Sequence, residues 1–168
     1  LDTLLRVAGD LDPALGGRSV DLMKPQERSH GSSRRTVYGT IDRNDLSSLF
    51  RVFDFANPDL STAQRDTTTV PQQALFFLNS PFVMAQACTL VHRPEFQRLT
   101  DETQRIRHFY QRVYQRDPSV EEIQRGLRFL QSKPAATGTG APNEKQPLTP
   151  QERYGQVLLM SNELMFVD

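Results

Sequence analysis

Apolar residues fall along this chain in short stripes at helical spacing, separated by polar stretches. Leu1, Leu4, Leu5, Ala8 and Leu11 share one face, so residues 1–11 read as an amphipathic helix. Asp12-Pro13 opens a turn that Gly16-Gly17 closes, and residues 21–33 are polar and aperiodic, the pattern of a loop. From Arg34 the period changes to two. Val37, Gly39 and Ile41 alternate with Thr36, Tyr38 and Thr40, which predicts one short extended segment near 34–42. Leu46, Leu49, Phe50 and Phe53 then form a stripe behind Asn44 or Asp45 as N-cap. Residues 54–69 read as a loop. Ile106, Phe109, Tyr110, Val113 and Tyr114 mark the clearest amphipathic helix, over 101–115.

Two capping boxes announce further helices. Ser119-x-x-Glu122 precedes Val120, Ile123, Leu127 and Leu130 on one face, and Thr149-Pro150-x-Glu152 precedes the run YGQVLLM. Between them, residues 133–148 are rich in Pro, Gly, Ala and Thr without an aromatic, the composition of a mobile loop. The expected fold is mainly α: an irregular helical bundle of about five to six helices, forming a single domain over 1–168 of a larger protein.

The most apolar run, TTTVPQQALFFLNSPFV over residues 67–83, carries two prolines and three amides. Thr69 before Pro71 and Ser80 before Pro81 repeat one grammar, a capping residue followed by proline in the first helical turn. The run therefore predicts a helix over 71–78, a break, and a longer helix over 81–92. Gln73 and Asn79 then need partners, and backbone groups of the adjacent loop are the expected ones.

Composition removes several function classes. Lys and Arg number 20 against 20 Asp and Glu, so no net charge draws the chain to nucleic acid or an anionic membrane. Arg98, Arg105, Arg107, Arg112 and Arg116 fall on several sides of their helix, which makes nucleic-acid binding the weakest of the readings. No stretch approaches the roughly 20 apolar residues of a membrane span, and no signal-peptide pattern is visible. The lone Cys88, inside VMAQACTLV, reads as a small core residue. Of the 20 basic residues 17 are arginine, a bias toward the planar fork that meets carboxylates.

Motifs for chemistry are missing. His30, His92 and His108 lack the spacing of metal ligands, with His108 read as solvated. There is no C-x-x-C-H for a c-type haem, and the glycine pairs match no phosphate cradle. Glu121-Glu122 opens a helix, where the macrodipole explains it. The remaining polar density is RRTVYGTIDR, FRVFDFANPD and QRDTTTVPQQA, in which Arg34, Arg35, Arg43, Asp54, Arg65 and Asp66 flank aromatics expected to be buried. Two readings stay open. One is a structural Arg–Asp network, the other a polar site for an anionic or sugar-like ligand.

These same segments, together with LLRVAGDLDPALGGRSV, FYQRVYQRDPSVEEIQRGLRFL and YGQVLLMSNELMFVD, resemble the planctomycete-specific domain of unknown function found C-terminally in planctomycete cytochrome-c-like proteins. The resemblance covers nearly the whole chain. It implies an extracytoplasmic location, at the periplasm or cell surface, and haem in a separate N-terminal segment, with no cofactor and no metal in this chain. The shared motifs nominate Arg34, Arg35, Tyr38, Arg43, Asp54, Arg65, Gln73 and Asn79, and supply no catalytic residue. The function expected is a non-catalytic helical module that scaffolds neighbouring domains or binds an extracellular polymer such as polysaccharide. Its partners are then the other domains of the same protein, with no nucleic acid and no membrane insertion. The rival expectation is part of an enzyme active site completed by a neighbouring domain.

Overall fold

Helices dominate the computed structural model, which describes residues 1–22, 32–42, 50, 52–53, 55, 71–132 and 148–165, the side chains of 71 and 72 excepted. In chain order they are α1 (Asp2–Ala8), α2 (Pro71–Asn79), α3 (Pro81–Val91), α4 (Pro94–Gln97), α5 (Glu102–Val113), α6 (Val120–Gln131), α7 (Pro150–Leu159) and α8 (Asn162–Met165). The mainly helical class expected from the sequence is the one observed. Leu1–Arg6 with Asp10–Ala85 forms one compact unit, and Val7–Gly9 with Gln86–Asp168 forms a second.

In the first unit, Leu22 and Phe50 are buried against Leu1, Val20, Phe53, Phe55 and Phe76. Phe53 meets Phe76 and Phe77 edge-on at 5.4 and 5.7 Å, the arrangement aromatic rings prefer. The break inside the apolar run is where the prolines put it. α2 ends at Asn79, α3 starts at Pro81, and the pair is bent by 55°. Ser80 accepts the Met84 N–H through its carbonyl at 3.1 Å, as an N-cap residue does. The expected cap Thr69, the caps Asn44 and Asp45, and the loop at 133–147 lie outside the described residues.

Residues 34–42 differ from a plain strand. Thr36–Tyr38 is a 3-10 turn, closed by Tyr38 N–H to the Arg35 carbonyl at 3.0 Å and Gly39 N–H to the Thr36 carbonyl at 2.9 Å. Isolated parallel bridges flank it, Asp12 with Arg34 and Val20 with Gly39, so the segment pairs with residues 12–20. The cause is tertiary. The Asp2 carboxylate takes the Thr36 N–H at 2.7 Å and its hydroxyl at 2.5 Å, which tightens the chain there. Val37, expected to share a face with Gly39 and Ile41, is 72% exposed, and Ile41 is 45% exposed.

α1 also stops early. Gly9 has φ of 86°, and Asp10 N–H bonds the Leu5 carbonyl at 2.9 Å, a Schellman closure that ends the helix at Ala8 before Leu11 is reached.

In the second unit α5, α6 and α7 pack on one another. Phe96, Ile106, Phe109, Leu90 and Leu159 are fully buried, with Phe109 between Phe96 at 4.7 Å and Tyr154 at 5.6 Å. Both capping boxes form completely. Val120, expected on the inner face of α6, is exposed, because it is the first helical residue and points off the packed stripe. His108, expected in solvent, is half-buried beside Phe96 with Nε2 enclosed and, among the described residues, without a hydrogen-bond partner.

Candidate functional site

Of the nominated residues that the structure describes, Arg34 and Tyr38 meet at one place, the wrap of residues 10–22 against 32–40. Arg34 stacks over the Tyr38 ring, 4.3 Å from its centroid. From there its guanidinium donates to the backbone carbonyls of Arg18 at 3.0 Å, Ala14 at 3.3 Å and Gly16. Tyr38 completes the clamp by accepting the Gly16 N–H on its hydroxyl at 2.9 Å. Gly16 and Gly17 both hold positive φ, so this loop turns on backbone conformations that other residues rarely adopt. Three carbonyls without a helix or sheet to satisfy them are met by one planar donor.

Arg35 points elsewhere. Its Nε donates to Asp2 Oδ2 at 3.3 Å, beside the Thr36 bonds to Oδ1. Burial pushes the Asp2 carboxyl upward, but the bonds from Thr36 and Arg35 outweigh it and hold the group below its ordinary range. Asp2 organises this corner and was not singled out in the sequence. Its only local signal is a place in the first turn of α1, and its partner lies 34 positions away.

Gln73 and Asn79 do not join this site. Asn79 turns back on its own helix, donating from Nδ2 to the Leu75 carbonyl at 3.1 Å rather than to the adjacent loop. Gln73 is half-buried on α2. Arg43, Asp54 and Arg65, with Asp66, lie outside the described residues.

The second unit holds the stronger electrostatics. Arg116 forks onto Glu122 at 2.9 and 2.7 Å and onto Glu163 at 2.6 and 2.9 Å, while lying over Tyr110 at 5.2 Å. The Arg116 bonds bring Glu122 down to about 2. Arg105 donates to the Leu99 carbonyl and to Glu102, and Arg112 to the Val7 carbonyl at 2.8 Å. Three of the five arginines considered for nucleic acid are thus engaged within the protein.

Burial pushes the Cys88 thiol up to about 11, with the neighbouring Glu152 adding to the effect. That is the condition of an unreactive thiol. Burial also acts upward on Glu152, yet hydrogen bonds from Thr149 and Cys88 keep it ionised. His92 Nδ1 lies 2.8 Å from the Cys88 carbonyl, which fixes the proton on that nitrogen, and 3.7 Å from Glu152 Oε1. Among the described residues no group of three or more His, Cys, Asp or Glu is placed to hold a metal ion. Among the same residues no single helix is long and apolar enough to cross a membrane.

Comparison with family models matches residues 1–130 to PSD1, a protein of unknown function (DUF1553). The chain belongs to the PSD1 family. No curated protein and no solved structure matches it. In this PSD1 chain the packing runs on past the matched segment. Tyr154, Leu158 and Leu159 of α7 are buried, with Tyr154 against Phe109 and Phe129. The clamp of Arg34 and Tyr38 and the Asp2 corner fall within the PSD1 match, as do Cys88 and Arg116.

Proposed function

We propose that this PSD1 chain is a non-catalytic, extracytoplasmic helical module that positions neighbouring domains in a larger haem-linked protein of the planctomycete cytochrome-c-like kind. The observation that carries the reading is the Arg34 clamp. The nominated cation most suited to seize an anion donates instead to three carbonyls of its own loop, and its aromatic neighbour Tyr38 holds the same loop. A cation so placed fixes backbone. The groups an active site would recruit as nucleophiles lean the same way, with Cys88 pushed up to about 11 and Tyr114 to about 12 by burial. The likeness of the RRTVYGTIDR and QRDTTTVPQQALFFLNSPFV segments to the planctomycete domain supports the haem-linked setting.

The test compares the complete protein with its Arg34→Gln variant by urea unfolding, limited proteolysis and small-angle scattering. Expected are a lower unfolding midpoint, faster cleavage in residues 10–22, and a looser arrangement of domains with an unchanged haem spectrum. An unaltered midpoint and cleavage pattern, with loss of a catalytic turnover, would replace this reading by the one in which the chain completes an active site with its neighbour.

A further inference from the structure

Asp2 and Arg6 stand four residues apart on α1, the spacing at which an acid preceding a base pairs along a helix. Asp2 is turned away from that pair. Its Oδ1 accepts the Thr36 N–H and hydroxyl at 2.7 and 2.5 Å, and its Oδ2 accepts Arg35 Nε at 3.3 Å. Arg6 is exposed, and among the described residues its guanidinium is in no hydrogen bond or ion pair. Arg35 is bound through Nε, and among the described residues its two terminal nitrogens have no partner, on a side chain 49% exposed. Arg6 and Arg35 both line one open cleft of about 430 Å³, together with Asp2, Thr3, Leu11 and Pro13.

We infer that this cleft binds an oxyanion, carboxylate or sulfate, carried on a ring the size of a sugar. Two cations face it against one carboxylate already bound to Arg35 and Thr36, so the cleft keeps a surplus positive charge. Arginine supplies parallel donors that match the two oxygens of a carboxylate or sulfate. Leu11 and Pro13 add apolar surface to the same lining, which an inorganic ion has no use for and the C–H face of a ring does. The cleft volume falls within the roughly 300–1,000 Å³ of small-ligand pockets. Arg34, by contrast, has its donors turned inward, so of the adjacent pair Arg34-Arg35 one holds the fold and the other faces outward. The inference goes beyond the positioning role and does not depend on it.

The test titrates the whole chain calorimetrically with tetragalacturonate, a sulfated oligosaccharide of the same length, neutral maltotetraose, and sodium sulfate. Binding of one anionic oligosaccharide in preference to the other tells a carboxylate source from a sulfate source, and maltotetraose is expected not to bind. Arg6→Gln and Arg35→Gln should each weaken binding about tenfold, while Arg107→Gln, which removes the same charge outside the cleft, changes it less than about twofold. Arg6→Gln is the deciding variant, since among the described residues no hydrogen bond or ion pair is lost with it; its unfolding midpoint should match the wild type. Failure of both anionic oligosaccharides to bind, or equal losses in Arg6→Gln and Arg107→Gln, would overturn the inference. Sodium sulfate binding as tightly as either oligosaccharide would overturn the part assigned to the ring.

Discussion

The guanidinium of Arg93 lies against the backbone of Gly9 with no room for a β-carbon between them: one built there would stand 1.7 Å from Nη1. The same Nη1 donates to the Ala8 carbonyl at 2.8 Å, and Arg112 donates to Val7 one residue earlier, so two cations satisfy the last carbonyls of α1. Gly9→Ala therefore loses twice, through the φ of 86° and through displacement of Arg93. The expected cost is roughly 2–4 kcal/mol, and Arg93→Ala alone should cost roughly 1.5–3 kcal/mol. The double variant should cost less than the two together by about 1 kcal/mol, because both remove one contact. Urea unfolding of the four proteins measures it, and strict additivity would refute the contact.

Gly126 sets helix propensity against packing. Alanine in mid-helix is worth about 1 kcal/mol over glycine. At this position, though, a β-carbon would meet the Tyr154 hydroxyl at 2.7 Å and Ile106 Cδ1 at 2.8 Å. Overpacking of a close helix contact costs roughly 1–3 kcal/mol, so Gly126→Ala should destabilise despite the better propensity. A raised melting temperature would show that α6 can move away from α5 and α7 at no cost.

Acid should loosen the second unit through Glu122. Its carboxyl is brought from 4.5 down to about 2 by Arg116, and the hydrogen bond from Ser119 adds to this. A depressed carboxylate contributes stability that is present above its unfolded value and is lost as pH falls through the folded one. Stability should therefore decline between pH 4.5 and about 2, and Glu122→Gln should flatten that decline. Equal slopes for the two proteins in that window, followed by denaturation against pH, would disprove it.

His108 acts in a higher range. Burial lowers its imidazole below 6.5; Glu95 opposes the shift, and Arg112 and Arg93 reinforce it. The unfolded chain then binds the proton more readily than the folded one, so stability is complete above pH 6.5 and falls as pH drops below it. His108→Leu should remove this dependence while keeping the contact with Phe96. A titration midpoint at or above 6.5 in the imidazole NMR signals would contradict the burial.

Much of the helical framework was legible in the sequence, and for a local reason. The capping boxes at Ser119/Glu122 and Thr149/Glu152 join residues three apart, and the stripe Ile106, Phe109, Tyr110, Val113 repeats within one helix. The break at Ser80-Pro81 follows from proline geometry alone. The early stop of α1 was legible too, in Gly9, but the apolar spacing to Leu11 argued past it. The candidate site was legible only as residue names. RRTVYG marks Arg34, Arg35 and Tyr38 alike, with nothing to say which cation closes a loop and which meets solvent.

By itself, then, the sequence determined a mainly helical chain, where most of its helices start, and the absence of familiar catalytic motifs, since each of these depends on residues within a few positions of one another. Tertiary structure alone decided what the polar groups do. Asp2 reaches Thr36 across 34 positions and Arg112 reaches Val7 across 105. Such pairs leave no periodicity behind, because a hydrogen bond between distant segments depends on how the chain returns in space and constrains only its two ends.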